Sequence, residues 1–274
     1  MINKLGCHVS MTSPDFLYGS LLEAISQDAN CFMVYTGSPQ SIKRQPISKL
    51  KIDDLKIGLE KYRISTNDII IHAPYILNLA NSDIAKRKFM INFLNNEIKT
   101  IEKIGTNKYV IHPGSNSDKK DGCMLIADII NNINNKKVIF CLETMAGLGN
   151  QIGSNLLELK TIIDNVNNKE LVGICIDTCH INDAGYNVNN VDQFLSEFDK
   201  VIGLKYLKVL HINDSLNKQG SKKDRHANVG KGTIGLKTLQ AWVNHPKLQS
   251  ICKILETPKH DDIYKKEIHM LLGK

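Results

Sequence analysis

Eight short apolar runs separated by longer amphipathic stretches most tightly limit how this 274-residue chain can fold. The runs lie near residues 4–10, 31–35, 69–72, 109–112, 138–143, 172–177, 207–211 and 252–256. Most are apolar almost continuously, which suits strands covered on both faces, as in a parallel sheet. The stretches between them read as helices. "SPDFLYGSLLEAISQDA" predicts a helix with Ser13 as N-cap and Pro14 in the first turn. "NSDIAKRKFMINFLNNEIKTIEKIG" has apolar residues three and four apart and a stop at Gly105. Strands and helices alternating in this way within one chain of this length predict a (β/α)8 TIM barrel of the α/β class, a single domain over residues 1–274. An open doubly wound sheet is the competing architecture. It is weakened because no glycine-rich phosphate fingerprint follows the first strand. Residues 212–234 make a longer connection than a simple βα loop needs, and such loops usually carry function.

Composition narrows the surroundings. Hydrophobic content of 42% and charged content of 23% are those of a globular protein with a full core. No apolar run approaches the roughly 20 residues that cross a bilayer. The opening "MINKLGCHVSM" lacks the apolar segment of a signal peptide, so an intracellular, cytoplasmic protein without membrane contact is expected. Seven cysteines with no CxxC pair predict reduced, buried thiols in such a compartment. A net charge of +7 favours an anionic partner, nucleic acid or a phosphorylated small molecule.

The residues that end the strands carry the chemistry. The strand ends read "LGCH", "FMVYT", "IIIH", "YVIH", "FCLE", "CID", "KVLH" and "KILE". All but the second finish on a side chain that can bind metal: His8, His72, His112, Glu143, Asp177, His211 and Glu256. One histidine or one glutamate in such a place is usually structural. So many in one register is more than capping preferences explain, because the C-terminal strand ends of a barrel meet on one rim. Carboxylates gathered there could not all ionise without cations. "DTCH" adds His180, and "SKKDRHANVGKG" adds Asp224 and His226, followed by Gly230 and Gly232. The candidate ligands are therefore His72, His112, Glu143, Asp177, His180, His211, Asp224, His226 and Glu256. Mixed nitrogen and oxygen donors suit zinc, with manganese or iron as alternatives. Nine donors exceed one tetrahedral ion and suffice for three if a carboxylate bridges. Close groups of metal ions serve phosphoryl chemistry.

In these stretches the sequence resembles the endonuclease IV family of zinc-dependent apurinic/apyrimidinic endonucleases. The likeness runs through "GCHVSM", "IHAPYILNLAN", "VIHPGS", "CLETMAGLGNQIG", "GICIDTCHINDAGY", "LHINDSLNKQGSKKDRHANVGKGTIG" and "ILETP", nearly the whole chain. It implies a TIM barrel with three zinc ions. One would take His72, His112 and a bridging Glu143. A second would share Glu143 and add Asp177, His211 and Glu256, and the third would take His180, Asp224 and His226. The implied activity cuts the phosphodiester 5′ to an abasic site, leaving a 3′-hydroxyl and a 5′-deoxyribose phosphate, and trims blocked 3′ ends. Glu143 would orient or deprotonate the attacking water. The implied partner is double-stranded DNA carrying abasic sites or blocked 3′ ends, and a monomer is expected. Candidate DNA contacts are Gln40 or Arg44 in "YTGSPQSIKRQP", Tyr75 in "HAPY", and Lys222, Lys223 and Arg225 in the basic loop. Gln40 stands about where well-known members carry an arginine. The alternative readings are a metal-dependent sugar isomerase of the related TIM barrels and a DNA-damage binder without activity.

Overall fold

The computed structural model describes residues 3–274; Met1 and Ile2, the first positions of the N-terminal stretch read above, lie outside the described residues. Eight parallel strands close into a barrel among the described residues. In chain order they are β1 (Leu5–His8), β2 (Phe32–Tyr35), β3 (Ile69–His72), β4 (Lys108–Ile111), β5 (Ile139–Glu143), β6 (Val172–Asp177) and β7 (Leu207–His211). A short antiparallel ribbon, β8 (Asp214–Ser215) with β9 (His226–Ala227), follows, and β10 (Cys252–Leu255) then pairs with β7 and β1 to close the ring. Around it lie α1 (Phe16–Ser26), α2 (Ile52–Tyr62), α3 (Ile84–Ile104), α4 (Lys119–Asn132), α5 (Leu156–Asn165), α6 (Thr178–Ala184), α7 (Val191–Val201), α8 (Leu236–Asn244) and α9 (Ile263–Leu272).

Local chemistry explains several element ends. Asp83 caps α3 by accepting from the Lys86 N–H at 3.0 Å, and Gly105, with φ of 95°, ends it by donating to Ile101 O. The start of α1 differs from the sequence expectation. The helix opens at Phe16 with Asp15 at its cap position, and Ser13 makes no cap. Residues 13–15 are instead taken up in a turn closed by the Phe16 N–H on Thr12 O at 2.8 Å.

Strand alternation sorts the core into two shells. Met33, Ile70, Val110, Cys141, Cys175, Val209 and Ile254 point into the lumen, joined there by Cys31 and Cys252. Their chain neighbours, such as Phe32, Ile71, Tyr109, Phe140, Ile176 and Leu210, pack outward against the helices. All seven cysteines are free and buried, as their apolar settings predict. Two residues beyond the lumen set, on the same face, stand Tyr35, His72, His112, Glu143, Asp177, His211 and Glu256. The barrel thus has an apolar floor and a polar mouth. Among the described residues no helix is long and apolar enough to cross a membrane.

Gly6 shows how tightly the ring closes. A Cβ there would lie 1.7 Å from Cys31 O. Gly6→Ala is expected to lower stability by about 1–3 kcal/mol through overpacking, read as a fall in the denaturant midpoint; an unchanged midpoint would contradict the packing.

Candidate metal centre

Nine side chains, six from barrel strand ends, one from the first turn of α6 and two from the β7–α8 connection, meet at the mouth. Three groups made up of these nine alone have donor atoms that lie within 4.8 Å of one another: His72, His112 and Glu143; Glu143, Asp177, His211 and Glu256; and His180, Asp224 and His226. Glu143 belongs to two of them. Its Oε2 faces His72 Nε2 at 3.2 Å and His112 Nε2 at 3.1 Å, while its Oε1 faces His211 Nδ1 at 3.0 Å. Glu256 Oε2 lies 2.8 Å from the same His211 nitrogen. In the third group His180 Nε2 lies 3.1 Å and His226 Nε2 3.6 Å from Asp224 Oδ1.

Each residue reaches this place for a local reason. His72, Glu143, Asp177 and His211 are the last residues of their strands, and His112 and Glu256 follow theirs directly. Asp177 also caps α6 by accepting from the His180 N–H at 3.0 Å, which fixes the first turn that carries His180. Ser215 pairs with His226 in the β8–β9 ribbon, and that pairing folds the basic loop back over the strand ends.

The imidazoles show which nitrogen is free. His72 Nδ1 lies 2.6 Å from Ala73 O, His180 Nδ1 2.7 Å from Thr144 O and His226 Nδ1 3.1 Å from Glu256 O. A carbonyl accepts only from a protonated nitrogen, so in the neutral ring each Nε2 carries a lone pair. Those lone pairs face carboxylate oxygens, and His180 Nε2 and His226 Nε2 are buried without a hydrogen-bond partner. Lone pair against anion is repulsive unless a proton or a cation lies between. The donor set therefore fits divalent cations, and the backbone carbonyls behind the imidazoles orient them as ligands.

The electrostatics agree. Burial opposes the charge on Glu143, yet the facing His211 and His112 hold its carboxyl well below the usual range. Burial likewise opposes ionisation of Asp224, and His180 and His226 hold it below its ordinary value. Burial disfavours charge on His180, but Asp177 and Asp224 draw its pKa upward. These are carboxylates that stay ionised and imidazoles held in a field of negative charge.

His8 belongs to none of the three groups. Its ring packs on Tyr35 at 4.9 Å between centroids, Tyr35 packs on His72 at 4.8 Å, and burial lowers the His8 pKa to about 4. The rings of His8 and Tyr35 line a cavity of about 480 Å³ beside the mouth.

The rim candidates divide. Gln40, Tyr75, Lys222, Lys223 and Arg225 are exposed, and the Tyr75 N–H donates to Pro39 O, tying its loop to that of Gln40. Arg44 is turned inward instead, contrary to the expectation that it faces DNA. Its Nε donates to Glu97 Oε1 at 3.0 Å, its Nη1 to Ser41 O and Lys43 O, and its guanidinium lies over Phe93. The buried Glu97 carboxylate requires a cation, and Arg44 supplies it.

Sequence reasoning missed the residues that hold the ligands. Asn213 donates from Nδ2 to Asp177 Oδ2 at 2.7 Å and accepts from the Glu256 N–H at 2.8 Å, linking β6 to β10. Thr144 Oγ1 accepts from the Asp177 N–H, and Thr178 Oγ1 from the Asn213 N–H. Asn213 lies two residues past His211 in "HIND", a spacing that could have drawn notice.

A family profile described as a xylose isomerase-like TIM barrel matches residues 22–273. The chain is 48% identical over 281 residues to the probable endonuclease 4 of Ureaplasma parvum serovar 3, covering 97% of this chain and 92% of that one. It belongs to the endonuclease IV family. The crystal structure of endonuclease IV from Thermus thermophilus superposes with a TM-score of 0.87 at 24% identity, over 98% of both chains. A D-tagatose 3-epimerase-like protein superposes at 0.72 and 19% identity, covering 98% of this chain and 96% of that one, a likeness of fold alone. The barrel architecture is thus shared with a protein of that description.

Proposed function

We propose that this protein is an apurinic/apyrimidinic endonuclease that uses three zinc ions to hydrolyse the phosphodiester 5′ to an abasic site in double-stranded DNA. The products are a 3′-hydroxyl and a 5′-deoxyribose phosphate, and blocked 3′ ends are trimmed at the same centre. The single observation that carries this reading is the carboxylate of Glu143. It serves two donor groups at once, with a third group beside it that draws Asp224 and His226 from a loop rich in lysine and arginine.

His72, His112 and Glu143 would hold one ion, Glu143, Asp177, His211 and Glu256 a second, and His180, Asp224 and His226 the third. Zinc bound there makes water a stronger acid and neutralises charge on phosphoryl oxygens. The chain supplies the rest. Glu143, buried at the mouth, would orient the attacking water or take its proton. Lys222, Lys223 and Arg225 bind phosphates and set the register of the duplex. Gln40 and Tyr75, exposed on two loops tied together at the rim, enter the duplex at the lesion. An abasic nucleotide leaves the helix with little loss of stacking, which favours its selection. A monomer suffices, because all nine donors come from one chain.

A duplex with one abasic analogue, incubated with the zinc-loaded protein beside a ketose and aldose panel, tests the reading. Incision 5′ to the lesion, abolished by chelator, is expected. Isomerisation without incision, or binding without incision, would refute it.

Asp224→Ala or His226→Ala should remove about one zinc equivalent by metal analysis while circular dichroism keeps the fold. Unchanged zinc content would contradict their role as ligands. Lys222→Ala with Lys223→Ala should weaken duplex binding and flatten the slope of log K against log salt by about one to two. An unaltered slope would place the DNA elsewhere.

A further inference from the structure

We infer that Asp214 is the positioning residue of the third cation group: its buried carboxylate clamps the returning arm of the 212–234 loop, so that Asp224 and His226 face His180. The inference rests on the three-cation reading proposed above. Asp214 is fully buried, and among the described residues no lysine, arginine or histidine forms a salt bridge with it. A buried carboxylate without a cation is tolerated only when hydrogen bonds satisfy it.

Five backbone N–H groups do so. Oδ1 accepts from Ser215 at 2.9 Å and Ile234 at 2.9 Å, Oδ2 accepts from Gly230 at 3.0 Å and Gly232 at 3.1 Å, and Gly235 is shared between them at 3.3 and 3.2 Å. Consecutive turns thus wrap one anion, as backbone concavities do for bound phosphate. Gly232 is required for this approach, since a Cβ there would lie 2.4 Å from Asp214 Oδ1 and 2.3 Å from Ser215 O.

The clamp acts on the ligands through short paths. Asp214 pairs with Ala227 and Ser215 with His226 in the ribbon, and the Leu216 N–H donates to Arg225 O at 3.0 Å. The outgoing arm is fastened separately. Asp183 accepts from Ser215 Oγ at 2.7 Å and Asn217 Nδ2 at 3.0 Å, and its carbonyl accepts from the Lys222 N–H. The segment carrying Asp224 and His226 is therefore strung between two fixed ends. Neither ligand of this pair comes from a barrel strand, in contrast to the six ligands at the barrel strand ends, which the barrel itself holds. Loss of the clamp loosens only the third group.

Asp214→Asn tests this. The amide would turn an NH2 group toward N–H donors and leave some of them without an acceptor. Gly232→Ala displaces the same arm from the opposite side. Zinc equivalents and affinities are read by competition with a chromogenic chelator, on the wild type and on both variants. The expected result is three equivalents in the wild type. In the variants two are retained and the third is weakened about 10- to 100-fold, with incision restored by excess zinc. Three equivalents of unchanged affinity in the variants would overturn the role of Asp214 and leave the three-cation reading standing. Fewer than three in the wild type would overturn both. Should neither variant fold, hydrogen exchange on the metal-free wild-type chain decides. Slow amides at Gly230, Gly232 and Ile234 support a clamp formed before the cation arrives, and fast exchange there refutes it.

Discussion

Ionised carboxylates and imidazole lone pairs are crowded into the upper end of a closed apolar tube, and the design of the mouth follows from that repulsion. Glu143 is almost fully buried, yet it faces imidazole nitrogens on both oxygens. Removing a carboxylate from water is costly, and opposite charge at close range must compensate. Backbone carbonyls behind His72, His180 and His226 fix which nitrogen carries the proton, so the opposite face of each ring cannot supply one while the ring stays neutral. The positive charge that balances the site must come from divalent ions or from added protons, and this donor set is built for the former.

Placement of that crowd follows from the two-residue period of a strand. Val110, Cys141, Cys175, Val209 and Ile254 fill the lumen, and the residues two positions on form the polar layer above them. The lower layer supplies stability and the upper layer chemistry, a division characteristic of closed parallel barrels. It also explains how one barrel serves sugar-converting and DNA-cleaving proteins: loops on the rim change while the strands keep their packing. In this chain the β7–α8 connection brings basic residues and two candidate ligands together and is fastened at both ends by buried aspartates.

The barrel and the nine candidate ligands could be read in the sequence because both depend on strand periodicity and on the type of residue at a strand end. His72, Glu143, Asp177 and His211 stand where an apolar run stops, and that boundary is visible without coordinates. Asp224 and His226 were legible as residue types, but not their reason for meeting His180, which lies in a ribbon only two residues wide on each side. Arg44 could not be read correctly. Its inward turn depends on Glu97, 53 residues away on α3, and a loop sequence carries no trace of that partner. Ser13 failed as a cap for a local reason instead, since a turn from Thr12 to Phe16 took it up. Asn213 and Asp214 escaped because polar residues after a strand are common, and only the hydrogen bonds they receive distinguish them.

Anomalous diffraction at the zinc edge from crystals of the zinc-loaded protein tests the cation-balanced mouth most directly. Three peaks are predicted, two flanking Glu143 and the third among His180, Asp224 and His226. A single peak, or density distant from Glu143 with its carboxylate bound only by protonated histidines, would contradict it.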